Sequence, residues 1–69
     1  MERTPVQSSN LLEIGYDPDT ETLEVMFKNG GVYQYYNLPQ HMYDQLMEAQ
    51  SHGVFFNNEI KGHYPEARM

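Results

Sequence analysis

Four residues near the C-terminus could do chemistry together: Asn57, Lys61, Tyr64 and Arg68, spaced four, three and four apart. If a helix or its irregular continuation carries them, they share one side, because residues three and four apart are neighbours on a helix surface. Two cations, a ring and an amide would then face outward as a group. Such a group suits a phosphate or a carboxylate, with the planar guanidinium of Arg68 binding it through two parallel hydrogen bonds and Tyr64 offering a stacking face. A structural reading of the same residues weighs more: Tyr64 packs on a sheet, Asn57 caps a backbone group, and the cations answer acids at a helix C-terminus.

Tyr33, Tyr35 and Tyr36 form a second aromatic group. Rings on an open sheet surface can stack bases, as in single-strand binders. Alternate tyrosines more often fill a core beneath a helix, which would leave Tyr36 pointing outward as a candidate interface residue.

No catalytic grouping is indicated. His41 and Asp44 sit three apart on one helical face, a spacing that can hold zinc or nickel, but His52 and His63 fall near helix ends or in loops and complete no ligand set. Ser8, Ser9 and Ser51 read as turn or capping residues rather than nucleophiles. The absence of cysteine removes disulfides, thiolate metal sites and a thiol nucleophile. Carboxylates are spread over exposed faces instead of paired for acid and base work. The expectation is a protein that is not an enzyme and uses no cofactor or metal.

Ten acidic residues stand against four basic ones, a formal charge of −6 at pH 7. Nucleic-acid affinity comes largely from Lys and Arg displacing counterions from phosphates, so this balance disfavours general nucleic-acid binding by a monomer. It suits solubility, or attraction to a basic patch on a protein partner. Met1 to Asn10 is polar and lacks the apolar core of a secretory signal, and no run approaches the ~20 apolar residues of a membrane span. A cytoplasmic protein is expected.

These side chains must be positioned by a short chain. Sixty-nine residues leave room for one core, which buries only about 60% of the unfolded surface, and pairing with a second copy is a common remedy. A homodimer or higher homo-oligomer is therefore an expectation. The first strand runs from Asn10 to Tyr16, with Leu12, Ile14 and Tyr16 on one face and Leu11, Glu13 and Gly15 on the other. Asp17-Pro18-Asp19-Thr20 makes the turn. Leu23, Val25 and Phe27 then alternate with Glu24 and Lys28, as a half-buried antiparallel strand requires.

Asn29-Gly30-Gly31 joins that strand to Val32–Tyr36 as a hairpin. A three-residue loop with Gly31 left-handed would pair Phe27 with Tyr33 and Val25 with Tyr35, placing both tyrosines on the apolar face. Pro39 at a first helical position, capped by Asn37 or Leu38, opens a helix whose stripe is Met42, Tyr43, Leu46, Met47 and Ala49. Gly53 is its left-handed stop. A second helix, about Val54 to Lys61, presents Phe56 and Ile60 and stops at Gly62, and Tyr64-Pro65 leads into a short tail. The fold expected is α+β: a three-stranded antiparallel meander followed by two short helices packed on one face, in a single domain over 1–69 with its core at about 6–68. An exposed edge strand would invite pairing with another copy.

Several pieces point to one family: Ser9-Asn10, Tyr16-Asp17, Leu23-x-Val25-x-Phe27, Gly30-x-x-Tyr33-x-Tyr35, Leu38-Pro39-x-x-x-Tyr43-x-x-Leu46, and Ser51-x-Gly53-x-x-Phe56-Asn57-x-x-Ile60-Lys61-x-x-Tyr64. In this order they resemble the KTSC domain, named for its occurrence at the C-terminus of some lysyl-tRNA synthetases. The likeness spans about Val6 to Arg68. It implies a small bacterial or phage protein, with RNA as a ligand suggested by the synthetase context, or a host protein or nucleotide as the ligand of a phage-encoded form. Charge and the lack of catalytic grouping put first a binding module acting through protein contacts. Nucleic-acid or nucleotide binding by Asn57, Lys61, Tyr64 and Arg68, with Tyr36 as a further contact and two such faces adding across a homo-oligomer, is the alternative.

Overall fold

In the computed structural model, which describes residues 1–69, five antiparallel strands form one sheet in simple sequence order. They are β1 (Arg3–Pro5), β2 (Leu11–Asp17), β3 (Thr22–Phe27), β4 (Val32–Tyr35) and β5 (Glu66–Arg68). Helix α1 (Gln40–Glu48) and the single turn α2 (His52–Phe55) follow β4, and α2 widens into a π turn at Phe56–Ile60. The inner face of the sheet gives Leu11, Ile14, Leu23, Val25 and Tyr35 to the core, and the helical segment gives Leu38, Leu46, Phe56 and Ile60. No helix is long and apolar enough to cross a membrane.

The three-stranded meander is therefore the centre of a larger sheet. Both of its edges are closed, by β1 against β2 and by β5 against β4. The edges of the meander, expected to lie open, are covered, and the sheet's edges move outward to β1 and β5. The new edges are three residues long each and carry Pro5 on one side and Glu66 and Arg68 on the other, features that discourage edge-to-edge pairing. Neither segment has an alternating apolar pattern, because neither is held by core burial. Arg3 holds β1 by reaching across the outer face to Glu13 at 3.1 Å and Glu24 at 3.2 Å. Its stem passes over Gly15, where an added Cβ would lie 2.6 Å from the Glu2 carbonyl oxygen and 2.9 Å from Arg3 Cγ. Strand β5 is tied at both ends, by Tyr36 N–H donating to Pro65 O at 2.9 Å and Met69 N–H to Val32 O at 2.8 Å.

The start of β2 also differs from simple alternation. Leu11 pairs with Phe27 but Glu13 pairs with Met26, so β2 carries one extra residue, Leu12, in a bulge. The bulge reverses the two leucines: Leu11 is fully buried while Leu12 is 40% exposed. Ile14 remains inside, with Tyr16 partly buried against the core. Two bonds fix the irregularity, Leu11 N–H to Ser8 Oγ at 3.2 Å and Lys28 N–H to Asn10 O at 2.9 Å.

In the β3–β4 hairpin the register is two residues away from the one expected. Val25 faces Tyr33 and Leu23 faces Tyr35, and Gly30, not Gly31, takes the left-handed conformation at φ 94°. A shift of two preserves the face, so both tyrosines still point into the apolar side. Phe27 remains beside Tyr33, diagonally, with the rings edge-to-face at 5.6 Å.

Helix α1 starts one residue later than expected, with Pro39 at the cap and no side-chain bond there. Asn37 is left-handed at φ 61°, and Leu38 is buried and donates its N–H to Glu21 O at 3.0 Å. The helix ends at Ala49, well before Gly53. Gly53 lies inside α2 and is required for close approach instead, since a Cβ there would sit 2.7 Å from Asn10 Oδ1. Ser51 caps α2 by accepting Val54 N–H at 3.2 Å, and His52 Nδ1–H donates to Leu46 O at 2.8 Å, joining the two helices. Gly62, left-handed at φ 83°, follows the π turn as the expected stop.

The bulge predicts opposite behaviour for adjacent leucines. Leu11→Ala is expected to cost about 2–5 kcal/mol in urea unfolding, and Leu12→Ala less than about 1 kcal/mol. Equal losses, or the reverse order, would place Leu12 in the core and remove the bulge.

Candidate functional site

A groove of about 430 Å³ opens where the β3–β4 hairpin, the loop before β2, the π turn and β5 meet. Each wall has a local cause. Gly30 closes the hairpin, with Phe27 N–H bonded to Gly31 O at 2.8 Å and the Asn29 side chain accepting Gly31 N–H at 2.9 Å. That leaves Lys28 and Asn29 at the rim. The bond from Lys28 N–H to Asn10 O draws the preceding loop alongside, which adds Ser9 and Asn10. On the opposite wall, Lys61 N–H reaches back five residues to Phe56 O at 2.9 Å. This wide turn buries Phe56 and Ile60 and leaves Asn57 and Lys61 exposed on the groove side. Turns of this kind recur at functional sites.

The floor is aromatic. Phe56 meets Phe27 at 5.6 Å and 70°, and Tyr35 at 5.3 Å and 80°, both edge-to-face arrangements that rings prefer. Phe56 and Tyr35 are buried, while Phe27 and Tyr33 are half-buried and supply the exposed part of the floor. Tyr35 is held by burial, and secondarily by Glu66 and Tyr33, in its protonated form, with its pKa pushed up to about 12. Its hydroxyl is therefore a neutral donor at physiological pH and not a base. Tyr16, across the domain, is also raised, first by burial and then by Glu21, Asp44 and Asp17; its hydroxyl donates to Leu38 O at 2.6 Å and its ring stacks on Tyr43 at 4.8 Å.

The residues singled out in the sequence divide among three places. Asn57 and Lys61 come together in the groove. Arg68 leaves them: on β5 it pairs with Tyr33, and its guanidinium carbon lies 5.8 Å from that ring's centroid, beside a smaller cavity shared with Asn29, Gly30 and Gly31. Tyr64 packs against the core rim, as the structural reading has it. Asn57, however, caps nothing, and neither Lys61 nor Arg68 has an ion-pair partner within the chain. Tyr36 belongs to the outer face, where its hydroxyl donates to Gln34 Oε1 at 2.9 Å.

Lys28, Ser9, Asn10 and Asn29 escaped sequence reasoning because the loops carrying them are remote in sequence from the π turn. The hairpin signal and the Ser9-Asn10 pair were the available clues. Seen as chemistry, the groove is rich in donors: two ammonium groups, the amide nitrogens of Asn10, Asn29 and Asn57, and the hydroxyls of Ser9 and Tyr35. Glu66 is the one carboxylate among them. Elsewhere, no three side chains of the ligating types come together as a metal site.

The architecture is that of a small α+β domain in which a five-stranded antiparallel sheet is roofed on one face by short helices. The chain belongs to the KTSC domain family, whose sequence model matches residues 7–64. A crystal structure of a KTSC domain protein from Yersinia pestis has the same fold, with a TM-score of 0.96 and 43% identity, covering 99% of this chain and 96% of that one. An uncharacterized protein of Stutzerimonas stutzeri is 43% identical over 88% of this chain and 86% of its own length. The lysine–tRNA ligase of Nostoc punctiforme is 34% identical over 84% of this chain, which corresponds to 10% of the ligase.

Tyr35 predicts an alkaline instability. Between pH 10 and about 12 the unfolded chain loses the Tyr35 proton while the folded chain keeps it, so stability is intact below about pH 10 and falls through that interval. Denaturant midpoints measured at pH 9 and pH 11.5 should drop, and Tyr35→Phe should drop less. An identical drop in the variant would detach the effect from this hydroxyl.

Proposed function

We propose that this KTSC domain is a non-enzymatic binding module whose ligand, RNA or a nucleotide, is held in the groove between the β3–β4 hairpin and the π turn. The observation that carries the reading is a sorting of charge. Of four basic residues in a chain of formal charge −6, Arg3 is engaged by Glu13 and Glu24, and the other three stand without an ion-pair partner around one aromatic floor. Lys28 and Lys61 line the groove and Arg68 flanks it. Unengaged cations beside half-exposed rings suit a ligand that carries both phosphate and base. The lysine–tRNA ligases with a segment similar to this chain supply a context in which tRNA is at hand.

A second reading keeps the protein partner. Nine of the ten acidic residues, all but Glu66, lie outside the groove, and that surface favours a partner with a basic patch.

Fluorescence anisotropy with short single-stranded RNA at low salt tests the first reading. Binding should weaken as salt rises, with a logarithmic slope no steeper than about 2, since at most three cations meet phosphates and each contributes about 0.7. Lys28→Ala and Lys61→Ala, both exposed and neutral for folding, should each weaken binding several-fold. Absence of binding to RNA and nucleotides at the lowest salt would leave the protein partner as the surviving reading.

A further inference from the structure

Resting on the groove reading above, we infer that the site takes one nucleoside phosphomonoester, either a free nucleotide or the phosphorylated end of a strand, and not a run of nucleic acid. Charge decides between the two. A terminal phosphate carries about −1.5 to −2 at pH 7, against −1 for an internal diester, and the two lysines lining the groove present a matching pair of positive charges. The free amide nitrogens and the Ser9 and Tyr35 hydroxyls add neutral donors for an oxygen-rich anion. Glu66, the one acceptor-only side chain, opposes the anion and suits ribose hydroxyls in its place.

Size and the rest of the surface agree. At about 430 Å³ the groove lies toward the small end of the ~300–1,000 Å³ typical of small-molecule sites, room for one nucleotide. A strand-tracking site spans several nucleotides, on the order of four or more, and needs a positive path for the backbone. Here the path stops at Arg68, which already covers one side of the Tyr33 ring, and the acids outside the groove repel a longer polyanion. Phe27 and the remaining edge of Tyr33 are the rings left for a base.

The test compares one labelled RNA sequence in three forms, with a terminal phosphate, with hydroxyl ends only, and circularised, using nucleoside monophosphates and nucleosides as competitors. The terminal phosphate should strengthen binding about tenfold or more. Monophosphates should compete, and nucleosides should not. Lys28→Ala and Lys61→Ala should erase the difference between phosphorylated and hydroxyl ends while leaving the thermal midpoint unchanged. If a free monophosphate binds as tightly as the phosphorylated strand, the source is a free nucleotide; if the strand binds tighter, it is a strand end, and either result supports the inference. Equal affinity for circular and phosphorylated linear RNA would overturn it while the groove reading stands. Failure of every RNA and nucleotide to bind would remove both.

Discussion

Phe56 meets Phe27 on one side and Tyr35 on the other, edge-on and out of contact with water. This wedge joins the π turn to the inner face of the sheet, and the two halves of the domain depend on it. Phe55, just before it, is half-buried against the core, whereas Asn57, just after it, is exposed, so the wide turn anchors Phe56 and turns Asn57 outward. The groove exists because Phe56 fills the space beneath it and Asn57 and Lys61 stand above. Removing an aromatic ring of this kind from a core costs about 3–5 kcal/mol, a large share of the stability open to a domain this small.

The two faces of the sheet divide the polar residues by a simple rule. The outer face has no helix over it, and its charged side chains satisfy one another: Arg3 between Glu13 and Glu24, Gln34 Nε2–H donating to Glu24 Oε1 at 2.8 Å, and Tyr36 donating to Gln34. Exposed pairs of this sort contribute about 1 kcal/mol or less apiece, but together they cross four strands and hold β1 where no core contact could. The consequence for function is indirect. By engaging Arg3 they leave the groove side as the place where positive charge is unanswered.

Membership of the KTSC family fits this division. The matching span, residues 7–64, contains the bulge, the hairpin, both helical segments and every groove residue except Glu66, and it omits β1 and β5. Those edge strands are held by backbone pairing and by surface charge, both of which tolerate many sequences. The wedge, the tight glycine approach of α2 to Asn10 and the left-handed hairpin position tolerate few.

The sequence by itself determined what short-range rules govern. Alternation placed Leu23, Val25, Tyr33 and Tyr35 on one face, the Asn29-Gly30 pair marked the hairpin, helical spacing set Leu46, Phe56 and Ile60 inward, and Gly62 ended the last turn. Each follows from conformational preferences acting over a few residues. Tertiary structure decided the rest, because it depends on partners distant in the chain. A bulge pinned by Ser8 and Lys28 exchanged the roles of Leu11 and Leu12, strand pairing recruited Arg3–Pro5 and Glu66–Arg68 without any apolar signal, and a two-residue shift moved the hairpin while sparing its faces. The candidate site divides in the same way: Asn57 and Lys61 are one turn apart and legible as a pair, whereas Lys28 and Asn10 join them only when the sheet and the π turn close over Phe56.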